Sequence, residues 1–348
     1  MAGGIGSARY EEEFTTGSNG VRLFACRWLP EKQDPKALIF LCHGYGMECS
    51  ISMRVTGTRL AKAGFAVYGM DYRGHGKSAG LQGYIPSFDE LVNDCSNYFT
   101  SVSEMILNRN KKRFLLGESM GGAVALMLHR KKPLFWHGAV LVAPMCKIAE
   151  EIKPHPLVVK ALTKLSSVIP KWKIVPTKDI TESAFKNPDW REEIRSNPYC
   201  YKGKPRLKTA KELLMISIDI EKNLHQVSLP FLVIHGGADI VTDPSVSQAL
   251  YDTAASEDKT FKLYPGMWHA LTSAESQQNL HLVFSDIVLW LDERSMKISS
   301  SSEMETTACH NEKKMRPSKS AKTSTTTQMA PSGMVRSTTS ITRTTYHT

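Results

Sequence analysis

Six short runs rich in Val, Ile, Leu and Phe, each stopped by a turn signal, limit what this 348-residue chain can fold into. They are ALIFLCHG (37–44), GFAVYGMDYRG (64–74), RFLLGES (113–119), GAVLVAPM (138–145), PFLVIHGGAD (230–239) and KTFKLYPG (259–266). Runs this short and this apolar suit strands buried on both faces. Helix-patterned stretches separate them, at about 50–63, 88–107, 120–131, 245–256 and 275–294. Strands that alternate with helices need parallel crossovers, so the expected fold class is α/β, a mostly parallel twisted sheet flanked by helices. Ahead of these runs, EEEFTTGSNGVRLFACRWLP reads as a hairpin turning at 17–20.

One interval breaks the alternation. From Cys146 to about Ser228 no parallel strand is expected, and the stretch is too long for a loop. It is expected to be a helical cap over the carboxyl ends of the strands, where open α/β sheets bind ligands. The expected domains are a core of 1–145 and 229–298, a cap of 146–228, and a tail of 299–348. The tail is Ser/Thr-rich, with seven Lys/Arg against three Asp/Glu and almost no large apolar residue. Such a composition cannot offset its ordering entropy, so the tail is expected to be disordered.

Composition narrows the function. The net charge is +10, of which the tail carries +4, and no basic patch interleaved with aromatics accompanies it, so no nucleic-acid partner is expected. No run of about 18 apolar residues occurs, nor a secretory signal, so neither a membrane span nor export is expected. The seven cysteines are scattered without a C-x-x-C pair, which argues against a disulfide framework or zinc site and suits a reducing, cytoplasmic compartment. No metal-ligand spacing stands out, and the phosphate-loop pattern fails at DYRGHGKS because its first glycine would be Asp71.

The chemistry starts at Gly117-Glu118-Ser119-Met120-Gly121. This G-x-S-x-G sits between an expected strand and an expected helix, the setting of a nucleophile elbow. The turn leaves no room for flanking side chains and lifts the Ser119 hydroxyl above the sheet. A serine needs a base, and in this arrangement an acid and then a histidine follow in the chain. Asp239 ends one expected strand, and His269 lies after the last one. Their rivals are Asp243, four residues on, and His75, which comes too early for the order. The oxyanion donors expected are the N–H of Met120 and the N–H of Tyr45 in HGYG (43–46).

Together HGYG, D-x-x-G-H-G-x-S, G-E-S-M-G-G, the late G-x-x-D and W-H-A resemble the α/β-hydrolase superfamily. GESMGGAVALMLHRKKPLFWHGAVLVAPMCKI and LYPGMWHALTSAE are similar to its plant monoacylglycerol lipase-like group, which includes lysophospholipase-like members and caffeoylshikimate esterase. The resemblance spans about residues 10–295. It implies a capped hydrolase fold, a Ser119, Asp239, His269 triad with oxyanion donors Tyr45 and Met120, and ester hydrolysis without a cofactor. Members often carry H-x4-D after the elbow helix, proposed as an acyltransferase signature. Here Leu134 stands five residues after His129, so the motif implies no acyl transfer.

The expected substrate is a small lipid or ester, first a monoacylglycerol or lysophospholipid. A phenolic ester such as caffeoylshikimate is the alternative, and a non-catalytic ligand-binding protein is the alternative of another class. In PLVVKALTKLSSVIPKW, Leu157, Val158, Ala161, Leu162, Leu165 and Ile169 recur at helical spacing, flanked by Lys160, Lys164 and Lys171. The stripe suits packing on the cap's own core; exposed, it would make peripheral contact with a membrane surface.

Overall fold

The computed structural model describes residues 7–148, 155–175 and 180–296, so the tail expected at 299–348 lies outside the described residues. The hairpin forms from β1 (Ala8–Thr16) and β2 (Arg22–Pro30), antiparallel from Ala8 opposite Pro30 to Thr16 opposite Arg22. The six apolar runs form β3 (Leu38–Cys42), β4 (Ala66–Met70), β5 (Arg113–Glu118), β6 (Gly138–Val142), β7 (Phe231–Gly236) and β8 (Lys259–Tyr264). One sheet holds all eight in the order β1-β2-β4-β3-β5-β6-β7-β8. Pairing is antiparallel across β2 and β4 and parallel from β4 onward.

Both faces of the central strands are covered, as their unbroken apolar sequence requires. On β3, Leu38, Phe40 and Cys42 join one core cluster while Ile39 and Leu41 join the other. The first layer includes α2 (Phe88–Glu104) and α3 (Met120–Lys131), and the second α1 (Arg54–Lys62) and α9 (Gln277–Ser295). Helix α8 (Pro244–Thr253) joins β7 to β8. Helix α1 starts at Arg54 rather than near residue 50 because the buried Glu48 carboxylate holds Ile51 and Ser52 N–H in a preceding turn. β8 departs from expectation: only Tyr264 on it is buried. It is the last strand of the sheet and packs through fewer neighbours.

Between β6 and β7 the described residues contain no strand and four α-helices: α4 (Pro156–Val168), α5 (Ile180–Ala184), α6 (Pro188–Ser196) and α7 (Leu207–Lys222). Helix α7 packs on α2 and α3, placing Ile216 and Ile220 in the main core, and α4 packs on α7. The expectation that the α4 stripe fills the cap's own core is corrected. Val159, Leu162, Ser166 and Ile169 turn inward, whereas Leu157 (67%), Val158 (55%), Leu165 (40%) and Val168 (74%) are exposed. The apolar pattern is wider than one packing face, and a helix docked on a single neighbour covers only one stripe.

Candidate active site

Four loops leave the carboxyl ends of β3, β5, β7 and β8 on the same edge of the sheet, and they carry HGYG, Ser119, Asp239 and His269 in turn. Parallel pairing is the cause, because it puts those strand ends side by side. After β5 the chain reverses into α3 through Ser119 at φ 54°, ψ −118°, a conformation that L-residues rarely adopt. Backbone bonds lock it there: Ser119 N–H donates to Val142 O (3.0 Å), and Ser119 O accepts from Gly122 and Met145. The flanking glycines serve space rather than φ. A Cβ on Gly117 would stand 2.3 Å from Gly121 O, and one on Gly121 1.8 Å from Cys42 O.

Asp239 is buried after β7, and its Oδ2 lies 2.7 Å from His269 Nδ1. With Nδ1–H donating to the carboxylate, a tautomer assigned from the partners, Nε2 is left as an acceptor. The same Oδ2 faces His235 Nε2 (3.0 Å) and accepts from the Thr242 hydroxyl (3.0 Å), while Oδ1 accepts from Val241 and Thr242 N–H. Burial alone would raise the Asp239 carboxyl. The bonds from His235 and His269 and the His269 charge outweigh it and hold the group well below the usual carboxylate range, so it stays ionised.

The rival residues do other work. Asp243 caps α8 by accepting from Ser245 N–H. His75 is buried against the Tyr45 ring, outside the cavity that Ser119 lines. The DYRGHGKS stretch is a folded loop: Asp71 accepts from Cys49 and Lys77 N–H, and a Cβ on Gly76 would overlap the Asp71 carboxylate at 1.9 Å.

Loop 43–46 abuts the elbow, where a Cβ on Gly44 would sit 3.6 Å from Ser119 Cβ. Among the described residues the N–H groups of Tyr45 and Met120 have no hydrogen-bond acceptor. The Tyr45 hydroxyl donates to Gly83 O, and Tyr201 N–H donates to Gly46 O, so neighbouring segments clamp this loop. Burial and then the charge of His75 hold His43 well below the usual imidazole range, and it stacks on Tyr72 with centroids 3.8 Å apart.

A cavity of about 350 Å³ opens at this edge and is lined by Ser119, Met120, Tyr45 and His269. Its walls are mostly apolar, with Met145, Ile148, Phe185, Leu213, Val241 and Val246. Among the described residues Lys147 is the one Lys or Arg that lines it, and it pairs with Glu221 at 3.7 Å. No hydrogen bond joins Ser119 to His269 among the described residues, although both face this space. The arrangement suits attack on an electrophile attached to an apolar group, with anion stabilisation beside it.

Three polar residues of this site escaped sequence reasoning. Glu118, pushed up by burial, accepts from the Thr272 and Thr56 hydroxyls and ties the elbow to the His269 loop. His235 and Thr242 bracket Asp239. The available signal was a polar side chain within an otherwise apolar run, Glu118 in RFLLGES and His235 in PFLVIHGGAD, since a buried polar group needs a partner.

The chain is similar to known proteins over most of its length. The family described as Serine aminopeptidase, S33 matches residues 33–277. Caffeoylshikimate esterase of Arabidopsis thaliana is 34% identical over 303 residues, covering 83% of this chain and 91% of that one. Monoacylglycerol lipase of Mycolicibacterium smegmatis is 29% identical over 290 residues, covering 82% of this chain and 98% of that one. Among solved structures, a soluble variant of Saccharomyces cerevisiae monoglyceride lipase in complex with a substrate analog superposes with a TM-score of 0.70 at 19% identity, covering 84% of this chain and 97% of that one.

Proposed function

The chain belongs to the α/β-hydrolase family described as Serine aminopeptidase, S33, as a carboxylic ester hydrolase, and we propose that it cleaves monoacylglycerols or lysophospholipids through an acyl-enzyme on Ser119. One observation carries this reading: Ser119, strained at the end of β5, shares an apolar cavity with His269, whose Nδ1 is bonded to a buried Asp239. Ser119 Oγ attacks the ester carbonyl as His269 Nε2 takes its proton. The N–H groups of Tyr45 and Met120 hold the oxyanion. His269 then protonates the departing alcohol, and water repeats the sequence to release the acid. The gap between Ser119 and His269 closes on substrate binding, as catalytic hydrogen bonds do when the Michaelis complex forms.

The described residues between β6 and β7 act as the cap, roofing the cavity with Ala184, Phe185 and Leu213, on a core made of the described residues before and after them. The exposed α4 face, with Lys160, Lys164 and Lys171 beside it, docks on an anionic membrane surface and places the enzyme at the cytoplasmic side of its lipid. Burying one Leu or Val is worth about 1.5–3 kcal/mol, so two acidic replacements are enough to release the protein. In flotation with anionic liposomes, Ser119→Ala protein is expected to rise with the vesicles and a Leu157→Asp, Val168→Asp variant to stay behind. A Ser119→Ala protein with no bound fraction removes the membrane contact.

A second reading, hydrolysis of a phenolic ester such as caffeoylshikimate, draws support from Lys147, which suits a carboxylate on the alcohol part, and from the 34% identical esterase. A panel of monoacylglycerols, lysophospholipids and phenolic esters separates the two. The highest kcat/KM is expected on a monoacylglycerol. A preference for the phenolic ester, with Lys147→Met lowering it by about tenfold or more as a lost charge-assisted contact does, decides for the second reading.

A further inference from the structure

His235 is fully buried, the next-to-last residue of β7, a strand otherwise made of Phe, Leu, Val, Ile and Gly. A polar ring there costs stability unless it is bonded, and both of its nitrogens are. Nε2 faces Asp239 Oδ2 (3.0 Å) and Thr242 O (3.0 Å), both acceptors, so Nε2 carries the hydrogen. Nδ1 lies 2.7 Å from Ser247 Oγ on α8 and accepts that hydroxyl. The ring is therefore held from α8 and points its one N–H at the oxygen that also receives His269. Asp239 sits in a loop, and its bonds from Val241 and Thr242 N–H reach only the other oxygen.

Building on the acyl-enzyme reading above, we propose that His235 is a positioning residue for the reaction: with Ser247 it fixes the Asp239 carboxylate so that Oδ2 is aimed at His269, and it takes up part of the negative charge on that oxygen. Two imidazoles then share one carboxylate oxygen, one fixed in the core and one free to exchange a proton at the cavity. Carboxylates other than Asp239 act on this group without bonding it: Glu118 on His269, and Asp243 on His235 and Asp239. The Thr242 hydroxyl contacts Asp239 Oδ2 and lies 3.2 Å from His269 Nδ1.

The test compares His235→Leu, His235→Gln and Ser247→Ala in the full chain, reading kcat, KM and the pH profile of kcat/KM on a short-chain ester. His235→Leu frees the carboxylate to turn, and kcat is expected to fall about 10- to 100-fold with little change in KM, the cost of a small misplacement. It also leaves more negative charge on Oδ2, which favours protonated His269, so the acid limb of kcat/KM moves to higher pH. Gln carries an amide N–H that can reach the same oxygen, and His235→Gln is expected to recover most of the rate and return the limb toward wild type. A His235→Leu enzyme with wild-type kcat and an unmoved limb overturns the proposal, and so does a His235→Gln enzyme as impaired as His235→Leu. Should His235→Leu not fold, Ser247→Ala decides: it releases Nδ1, and an acid limb unchanged from wild type overturns the proposal. Ser119→Ala run in parallel keeps the two levels apart. Turnover by Ser119→Ala refutes the acyl-enzyme reading itself, whereas an inactive Ser119→Ala beside indifferent His235 variants refutes only the role of His235.

Discussion

Ser119→Ala is expected to lower kcat for ester hydrolysis by about four to six orders of magnitude, the range seen when a serine hydrolase loses its nucleophile. The fold should survive. Ser119 Oγ has no hydrogen bond among the described residues, and the bonds that hold the turn come from backbone atoms alanine retains. The melting temperature should therefore move by no more than about 2 °C. Two measurements check this: single-turnover hydrolysis of a p-nitrophenyl ester, and labelling by a fluorophosphonate probe. Retained turnover with retained labelling elsewhere in the chain moves the nucleophile away from residue 119.

Gly121→Ala is expected to be the most damaging of the glycine-to-alanine changes among the described residues. Its Cβ would stand 1.8 Å from Cys42 O and 2.4 Å from Cys42 C, with His43 O at 2.9 Å. These are backbone atoms at the end of β3, bonded into the centre of the sheet, so no rotamer change makes room. Either α3 lifts off the sheet or β3 is displaced. Overpacking of this kind costs about 3 kcal/mol or more, which for a protein of this size lowers the melting temperature by several degrees. The same displacement spreads Met120 from loop 43–46, so the surviving folded protein should also lose kcat. Thermal unfolding and steady-state kinetics on one preparation check both effects. A Gly121→Ala protein as stable and as active as wild type means that the elbow does not pack as described.

Most of the architecture was legible because the strands are central. β3, β5, β6 and β7 are buried on both faces along most of their length, so apolar residues dominate them and the runs stand out within a polar chain. Legibility failed where a segment packs on one side. β8 pairs with one neighbour and α4 docks on one helix, and in both the apolar pattern exceeds the surface actually covered. The chemistry divided in the same way. Ser119, with its glycines, is a local event, written in five consecutive residues. His235 and Glu118 look like interruptions of strands until their partners are known: Ser247 on the following helix, and Thr272 from far along the chain.

The sequence by itself determined the fold class, the elbow and the order of the residues placed at the strand ends, because burial on two faces and a turn too tight for side chains leave their mark on neighbouring residues. Tertiary structure alone decided how Asp239 stays ionised inside the protein, which buried polar groups brace it, and which face of α4 is left uncovered. Those are properties of groups that a strand, a loop and a packed helix bring together in space. A carboxylate's environment is the sum of donors from several elements, and no local pattern records that sum.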